Sequence, residues 1–137
     1  MDDEVHLVLA GQTTEYFESE IRPLARQTER IHVFDDVNDE ARAWLLRHGT
    51  VFCMVSNTDS FGIVYLEAWL AGMPVIAADL PAMRDIVEQN VTGLLVPYGE
   101  ELILKEALTR LLSDRKLAMQ LGENGRKKAL EIGRAHV

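Results

Sequence analysis

Short apolar runs alternate with segments of helical periodicity along almost the whole chain. Val5 to Ala10 is apolar and is stopped by Gly11, which predicts a buried strand ending in a turn. Phe17, Ile21, Leu24 and Ala25 then recur at helical spacing, with Thr13 or Thr14 as cap, so a helix is expected to about Thr28 with a bend at Pro23. Ile31 to Phe34 is a second strand, Asp39 to Arg47 a short helix closed by His48-Gly49, and Val51 to Val55 a third strand. Phe61 to Ala71 is the next helix, ended by Gly72, and Pro74 to Ala78 is a fourth strand. A helix over Met83 to Gln89, a strand over Gly93 to Val96, an amphipathic helix over Glu100 to Leu112 and further helical turns over Arg115 to Leu130 complete the series.

Strands that are apolar throughout and separated by helices predict a parallel sheet covered on both faces. The expected fold is α/β, a Rossmann-like doubly wound domain whose ligands sit beyond the carboxyl ends of the strands. The loops after Ala10, Phe34, Val55 and Ala78 are therefore the places to search.

The chain has 137 residues, enough for one domain. Its net charge of −8 argues against a nucleic-acid surface, and the one basic cluster, Arg126-Lys127-Lys128, reads as a solvated face near a helix end. Cys53 is the only cysteine, which excludes an internal disulfide, and its apolar neighbours predict a buried strand thiol. The histidines His6, His32, His48 and His136 lack ligand spacing in the sequence, so no metal site is expected. Met1 is followed by Asp2, Asp3 and Glu4 and not by a signal region, and no long apolar run occurs; the expected location is cytoplasmic. Ile132 to Val137 matches what a common sequencing adapter encodes in one frame. The expected division is thus residues 1–131 as a domain and residues 132–137 as a non-native tail.

The densest chemistry lies between Ser56 and Val75, a strand end, a polar loop and a helix. Ser60 is a candidate N-cap, which leaves the first amides, near Phe61, Gly62 and Ile63, aimed beyond the strand ends as a site for oxygens or phosphates. Gly62 leaves no side chain between backbone and ligand. Glu67 is the only charged residue between Phe61 and Gly72, on a stripe with Ile63 and Leu70. Burying it unpaired would cost several kcal/mol, so it either opens into the crevice or meets a donor. It sits about 10 Å along the helix from Ser60, a separation that one nucleotide sugar can span. Asp59 adds a second carboxylate near the amides. The alternative is structural: Asp59 and Ser60 cap the helix, and Glu67 pairs with an arginine or a backbone amide.

Asp59-Ser-Phe-Gly-Ile-Val-Tyr-Leu-Glu67-Ala, followed by Gly72-Met-Pro-Val-Ile, resembles the E-x7-E signature of retaining GT-B glycosyltransferases of the GT4 type, the glycosyl transferases group 1. Leu7 to Gly11, the Phe34 to Glu40 turn, Gly93 to Pro97 and Glu123 to Arg126 resemble the same family's carboxy-terminal, donor-binding domain. The resemblance implies that Glu67 binds the ribose hydroxyls and that Asp59, as the catalytic-site carboxylate, holds the transferred sugar with Ser60, Phe61, Gly62 and Ile63. Val64 would lie near the diphosphate, and Val37 would touch the nucleobase. It further implies a UDP-, GDP- or ADP-sugar donor as substrate, no cofactor, a metal-independent front-face transfer with retention, and an acceptor-binding amino-terminal domain. The family's carboxy-terminal domain begins with a further strand, a Gly-rich loop and an Arg and Lys that neutralise the leaving diphosphate. Against that pattern this chain lacks its first strand, which would leave a sheet edge prone to self-association, and alone it is expected to be inactive.

Two departures stand out: Asp59 occupies a position that is usually Glu, and Val55 one that is often Pro. A non-catalytic flavodoxin-like receiver or nucleotide-binding module is the competing class, with Asp35 and Asp36 as its Mg²⁺ ligands. Asp79 is then the nearest substitute for the missing second acidic site. A dinucleotide-binding dehydrogenase is disfavoured because Gly11-Gln-Thr-Thr is not GxGxxG.

Overall fold

The computed structural model describes residues 4–56 and 63–135. The chain divides into two compact units, Met1–Trp44 and Leu45–Val137.

In the first unit, β1 (Leu7–Gly11) and β2 (Ile31–Asp35) pair in parallel with Leu7 opposite Ile31 and Gly11 opposite Asp35. Between them the Thr14 hydroxyl accepts the Phe17 N–H at 3.2 Å, which selects Thr14 as the cap. The following helix is not α-helical throughout. Phe17–Ile21 is a π turn, in which the Arg22 N–H reaches back to the Phe17 carbonyl, and only Arg22–Ala25 is an α-helix, α1. Pro23 is the physical reason: it has no N–H to give, and its ring would collide with the carbonyl four residues earlier, so the turn ahead of it widens. Arg22 secures this turn with two bonds to Glu18, at 2.6 and 2.8 Å, and one to Asp35 at 3.0 Å, with its guanidinium over the Phe17 ring. The Arg22 hydrogen bond lowers the Glu18 carboxyl below the ordinary carboxylate range. Helix α2 (Asp39–His48) starts in this unit, where the Asn38 side chain accepts the Ala41 N–H at 2.8 Å.

In the second unit, β3 (Phe52–Met54), β4 (Val75–Ala78) and β5 (Gly93–Val96) form a three-stranded parallel sheet in the order β3-β4-β5. The parallel pairing of the described strands is therefore divided between two sheets. All four residues of β4 are buried, and they alternate between two cores. Val75 and Ala77 join Tyr65, Trp69, Met73, Met83 and Val87 in one; Ile76 joins Leu94, Val96, Leu111 and Leu121 in the other. The expectation of a parallel sheet covered on both faces holds at this strand.

The helices of this unit are α3 (Ile63–Leu70), α4 (Pro81–Arg84), α5 (Glu101–Ser113) and α6 (Arg115–Ala135). Helix α3 ends as expected at Gly72, whose φ of 78° suits glycine. The Gly72 N–H bonds to the Trp69 carbonyl at 2.8 Å and the Met73 N–H to Ala68 at 3.0 Å, a Schellman closure.

Four expectations need correction. The helix placed at Met83 to Gln89 shortens to α4, because the Thr92 hydroxyl takes the Glu88 N–H at 2.9 Å and Asn90 adopts φ 64°, turning the chain into β5. The last turns form one helix of 21 residues, α6, which continues through Ala135. Cys53 is exposed, not buried: β3 is an edge strand, paired only with β4 among the described strands. Lys128 is more than a solvated charge, since its ammonium lies over the buried Trp69 ring at 5.8 Å and donates to the Ile86 carbonyl.

Candidate functional site

The second unit builds its candidate site at the carboxyl end of β3. Asp59, Ser60, Phe61 and Gly62 lie outside the described residues. Ile63, Val64 and Glu67 lie on α3. This helix has two unlike faces. Tyr65, Ala68 and Trp69 are buried against β4 and α6, whereas Ile63 and Leu70 are 60% and 52% exposed. Glu67 shares the outward stripe with Ile63 and Leu70 and is itself half-buried. The carboxylate therefore stands at an accessible face, and the cost of enclosing it in an apolar core does not arise. Val64 is half-buried at the helix start, about 4 to 5 Å along the axis from Glu67.

Tyr65 fixes where this helix begins. Its hydroxyl donates to the Met54 carbonyl at 2.8 Å, and its ring meets Phe52 edge-on at 5.7 Å. Both partners belong to β3, so the start of α3 is tied to the strand that leads into the motif. Burial pushes the Tyr65 phenol up, which keeps it a neutral donor. The sequence reading missed this residue, because an apolar neighbour on the same helix face gives the same pattern. Tyr65→Phe is expected to lower stability by about 1 kcal/mol by leaving the Met54 carbonyl without this donor. Urea unfolding measures it; an unchanged midpoint would show that the hydroxyl does not anchor α3.

At the end of β4 the Arg84 guanidinium donates to Asp79 at 2.6 Å, and the Asp79 N–H bonds to the Val96 carbonyl at 2.8 Å. The Arg84 pKa is raised, first by that hydrogen bond and then by the Asp79 charge.

Val37 belongs to the first unit, half-buried, directly after Asp36 in its left-handed conformation of φ 52°. Asp35 engages Arg22 at 3.0 Å, which puts a cation at the carboxylate that a receiver would use for Mg²⁺. Asp79, the other carboxylate of that reading, is paired with Arg84. No group of three or more His, Cys, Asp or Glu side chains converges among the described residues. Two hollows among the described residues, of about 480 and 360 Å³, lie along α5 at Leu102, Lys105 and Arg110, and beside Gly49, Pro74 and Arg115. Neither touches Ile63, Val64 or Glu67. No helix among the described residues is long and apolar enough to cross a membrane.

Known proteins align with this arrangement over nearly its full length. The family model described as glycosyl transferases group 1 matches residues 1–128. A phosphatidyl-myo-inositol mannosyltransferase of Mycobacterium leprae is 37% identical over 112 residues, which are 80% of this chain and 29% of that protein. An N-acetyl-alpha-D-glucosaminyl L-malate synthase of Bacillus anthracis is 25% identical over 93% of this chain and 33% of its own length. The chain thus spans about a third of the length of these relatives. Among solved structures, the sucrose-phosphate synthase of Thermosynechococcus elongatus superposes with a TM-score of 0.79 at 28% identity, over 96% of this chain and 37% of that one. Anabaena HepE in complex with UDP-glucose does so at 0.81 and 23% identity, over 95% and 37%, a likeness of fold. The fold is that of the carboxy-terminal domain of GT-B glycosyltransferases. The chain belongs to the glycosyl transferases group 1.

Proposed function

We propose that this chain is the donor-binding part of a retaining glycosyltransferase that moves a sugar from a nucleotide sugar to an acceptor hydroxyl. The observation that carries the reading is Glu67, a half-buried carboxylate on the accessible stripe of α3, in a family-matched segment. In the proposed roles, Glu67 accepts hydrogen bonds from the ribose hydroxyls, and the backbone around Ser60, Phe61, Gly62, Ile63 and Val64 receives the diphosphate and sugar at the positive end of α3. Asp59 contacts the transferred sugar, and Val37 contacts the base. A UDP-, GDP- or ADP-sugar serves as donor, and the residues named need no metal.

Two observations support this reading over the receiver. Asp35 and Asp79 are each committed to an arginine, and the family match runs through both units. The solved HepE complex contains UDP-glucose, which makes uridine nucleotides the first donors to test.

The test is calorimetry of the folded chain with UDP, GDP, ADP and their glucose and mannose conjugates. Binding of one nucleotide in preference to the others supports the reading; binding of none overturns it for this chain. A separate expectation concerns turnover. Stabilising the departing diphosphate and positioning the acceptor are dominant catalytic contributions, and the proposed residues include neither a cation for the one nor a site for the other. The 137-residue chain is expected to transfer no sugar to any acceptor, as read by release of labelled nucleotide, whereas measurable transfer would contradict this assignment of roles.

A further inference from the structure

We propose that His6 and His32 form a surface site for a divalent transition metal of tetragonal preference, copper(II) or nickel(II). The two residues are 26 positions apart in sequence, yet the His6 Nδ1 and the His32 Nε2 lie 2.9 Å apart. Their ring centroids are 5.1 Å apart with an interplanar angle of 23°, so the two facing nitrogens meet edge to edge. The strand register explains the meeting. Val8 pairs with His32, and the Leu7 N–H bonds to the Arg30 carbonyl at 2.8 Å, which prolongs the ladder back towards His6. Side chains alternate along a strand, so His6, Val8 and His32 share one face of the β1-β2 pair. Both imidazoles are exposed and open to an ion from solvent.

As neutral rings, the pair is joined by one N–H donating to the other ring's lone pair. For a metal to bind, that proton moves through solvent to the other nitrogen of its own ring, and the rings turn so that both facing lone pairs meet the ion. With metal–nitrogen bonds of about 2.0 to 2.1 Å, nitrogens at the observed separation subtend about 90° at the ion, the cis angle of a tetragonal site. A tetrahedral ion would need them about 3.3 to 3.4 Å apart. Copper(II) leads the affinity order for nitrogen ligands, and its tetragonal preference accepts a cis pair at this separation once the rings turn towards it. No third His, Cys, Asp or Glu joins the pair among the described residues.

His6 precedes β1, and His32 is the second residue of β2, so the pair marks the amino end of these parallel strands. The ligand face of such a sheet is the carboxyl end, here Gly11 and Asp35. The metal would clamp β1 to β2 without entering transfer chemistry, so this inference stands whether or not the donor-binding reading does.

Isothermal titration of the 137-residue chain with nickel chloride, and with copper chloride, at neutral pH tests it. A single metal should bind, and His6→Gln or His32→Gln should each weaken binding about tenfold or more. His48→Gln should bind as the unsubstituted chain does. A readout that needs no variant is imidazole NMR with substoichiometric copper: the signals of two of the four histidines should broaden first. Unchanged affinity in both pair variants, absence of binding, or equal broadening of all four signals would overturn the site.

Discussion

Gly125→Val is expected to destabilise the chain by about 3 kcal/mol or more, a large part of the stability of a domain this size. A side chain at Gly125 would begin with a Cβ placed 2.1 Å from Trp69 Cδ1 and 2.4 Å from its Nε1, distances that real carbon atoms do not reach. Trp69 has no way to yield. It is fully buried, its indole N–H donates to the Thr92 carbonyl at 3.0 Å, and Lys128 covers its ring. Turning the ring away would break that buried hydrogen bond, so α6 itself must lift from α3. A Cβ at Gly122, one turn earlier, would fall equally close to the Gly72 carbonyl oxygen, which extends the same contact to the Schellman closure. Gly133→Ala, on the same helix with nothing within 4 Å, is the control and should stabilise by up to about 1 kcal/mol through helix propensity. Urea midpoints followed by circular dichroism decide the matter. A Gly125→Val midpoint equal to that of the unsubstituted chain would refute the packing of α6 on Trp69.

Glu67→Ala is expected to weaken nucleotide binding about 10- to 100-fold, with folding intact. Hydrogen bonds to a charged acceptor contribute about 1.5 to 3 kcal/mol each, and about 1.4 kcal/mol is a factor of ten. Glu67→Gln keeps an acceptor oxygen but loses the charge and should fall between the two. Because Glu67 shares its stripe with exposed Ile63 and Leu70, removing its carboxylate empties no core. Equal affinity in all three proteins, each with the same urea midpoint, would return Glu67 to the structural role that its spacing alone also allows.

Local pattern carried much of the fold. The apolar run ending at Ala78 is the buried centre strand, and Gly72 closes α3 because a left-handed residue was needed there. Both depend on neighbours a few residues away, which is what periodicity and turn chemistry register. Long-range contacts were not legible. Tyr65 reaching Met54 and His6 meeting His32 depend on how strands are placed, and Lys128 lying over Trp69 on how α6 packs against α3. Cys53 was misplaced for the same reason: an apolar strand reads identically at the centre and at the edge of a sheet. The candidate site was readable as a motif, since Asp59, Ser60 and Glu67 stand at fixed spacing. The unlike faces of α3 became visible only once its packing against β4 and α6 was known.

The most direct test of the central claim is a two-by-two calorimetric comparison: the chain and its Glu67→Ala variant, each titrated with its preferred nucleotide and with the 2′,3′-dideoxy form of that nucleotide. If Glu67 holds the ribose hydroxyls, removing them weakens binding to the unsubstituted chain about 10- to 100-fold and changes little in the variant, because the interaction is already gone. If the two losses simply add, Glu67 and the ribose act independently, and the donor-binding role assigned to Glu67 is wrong.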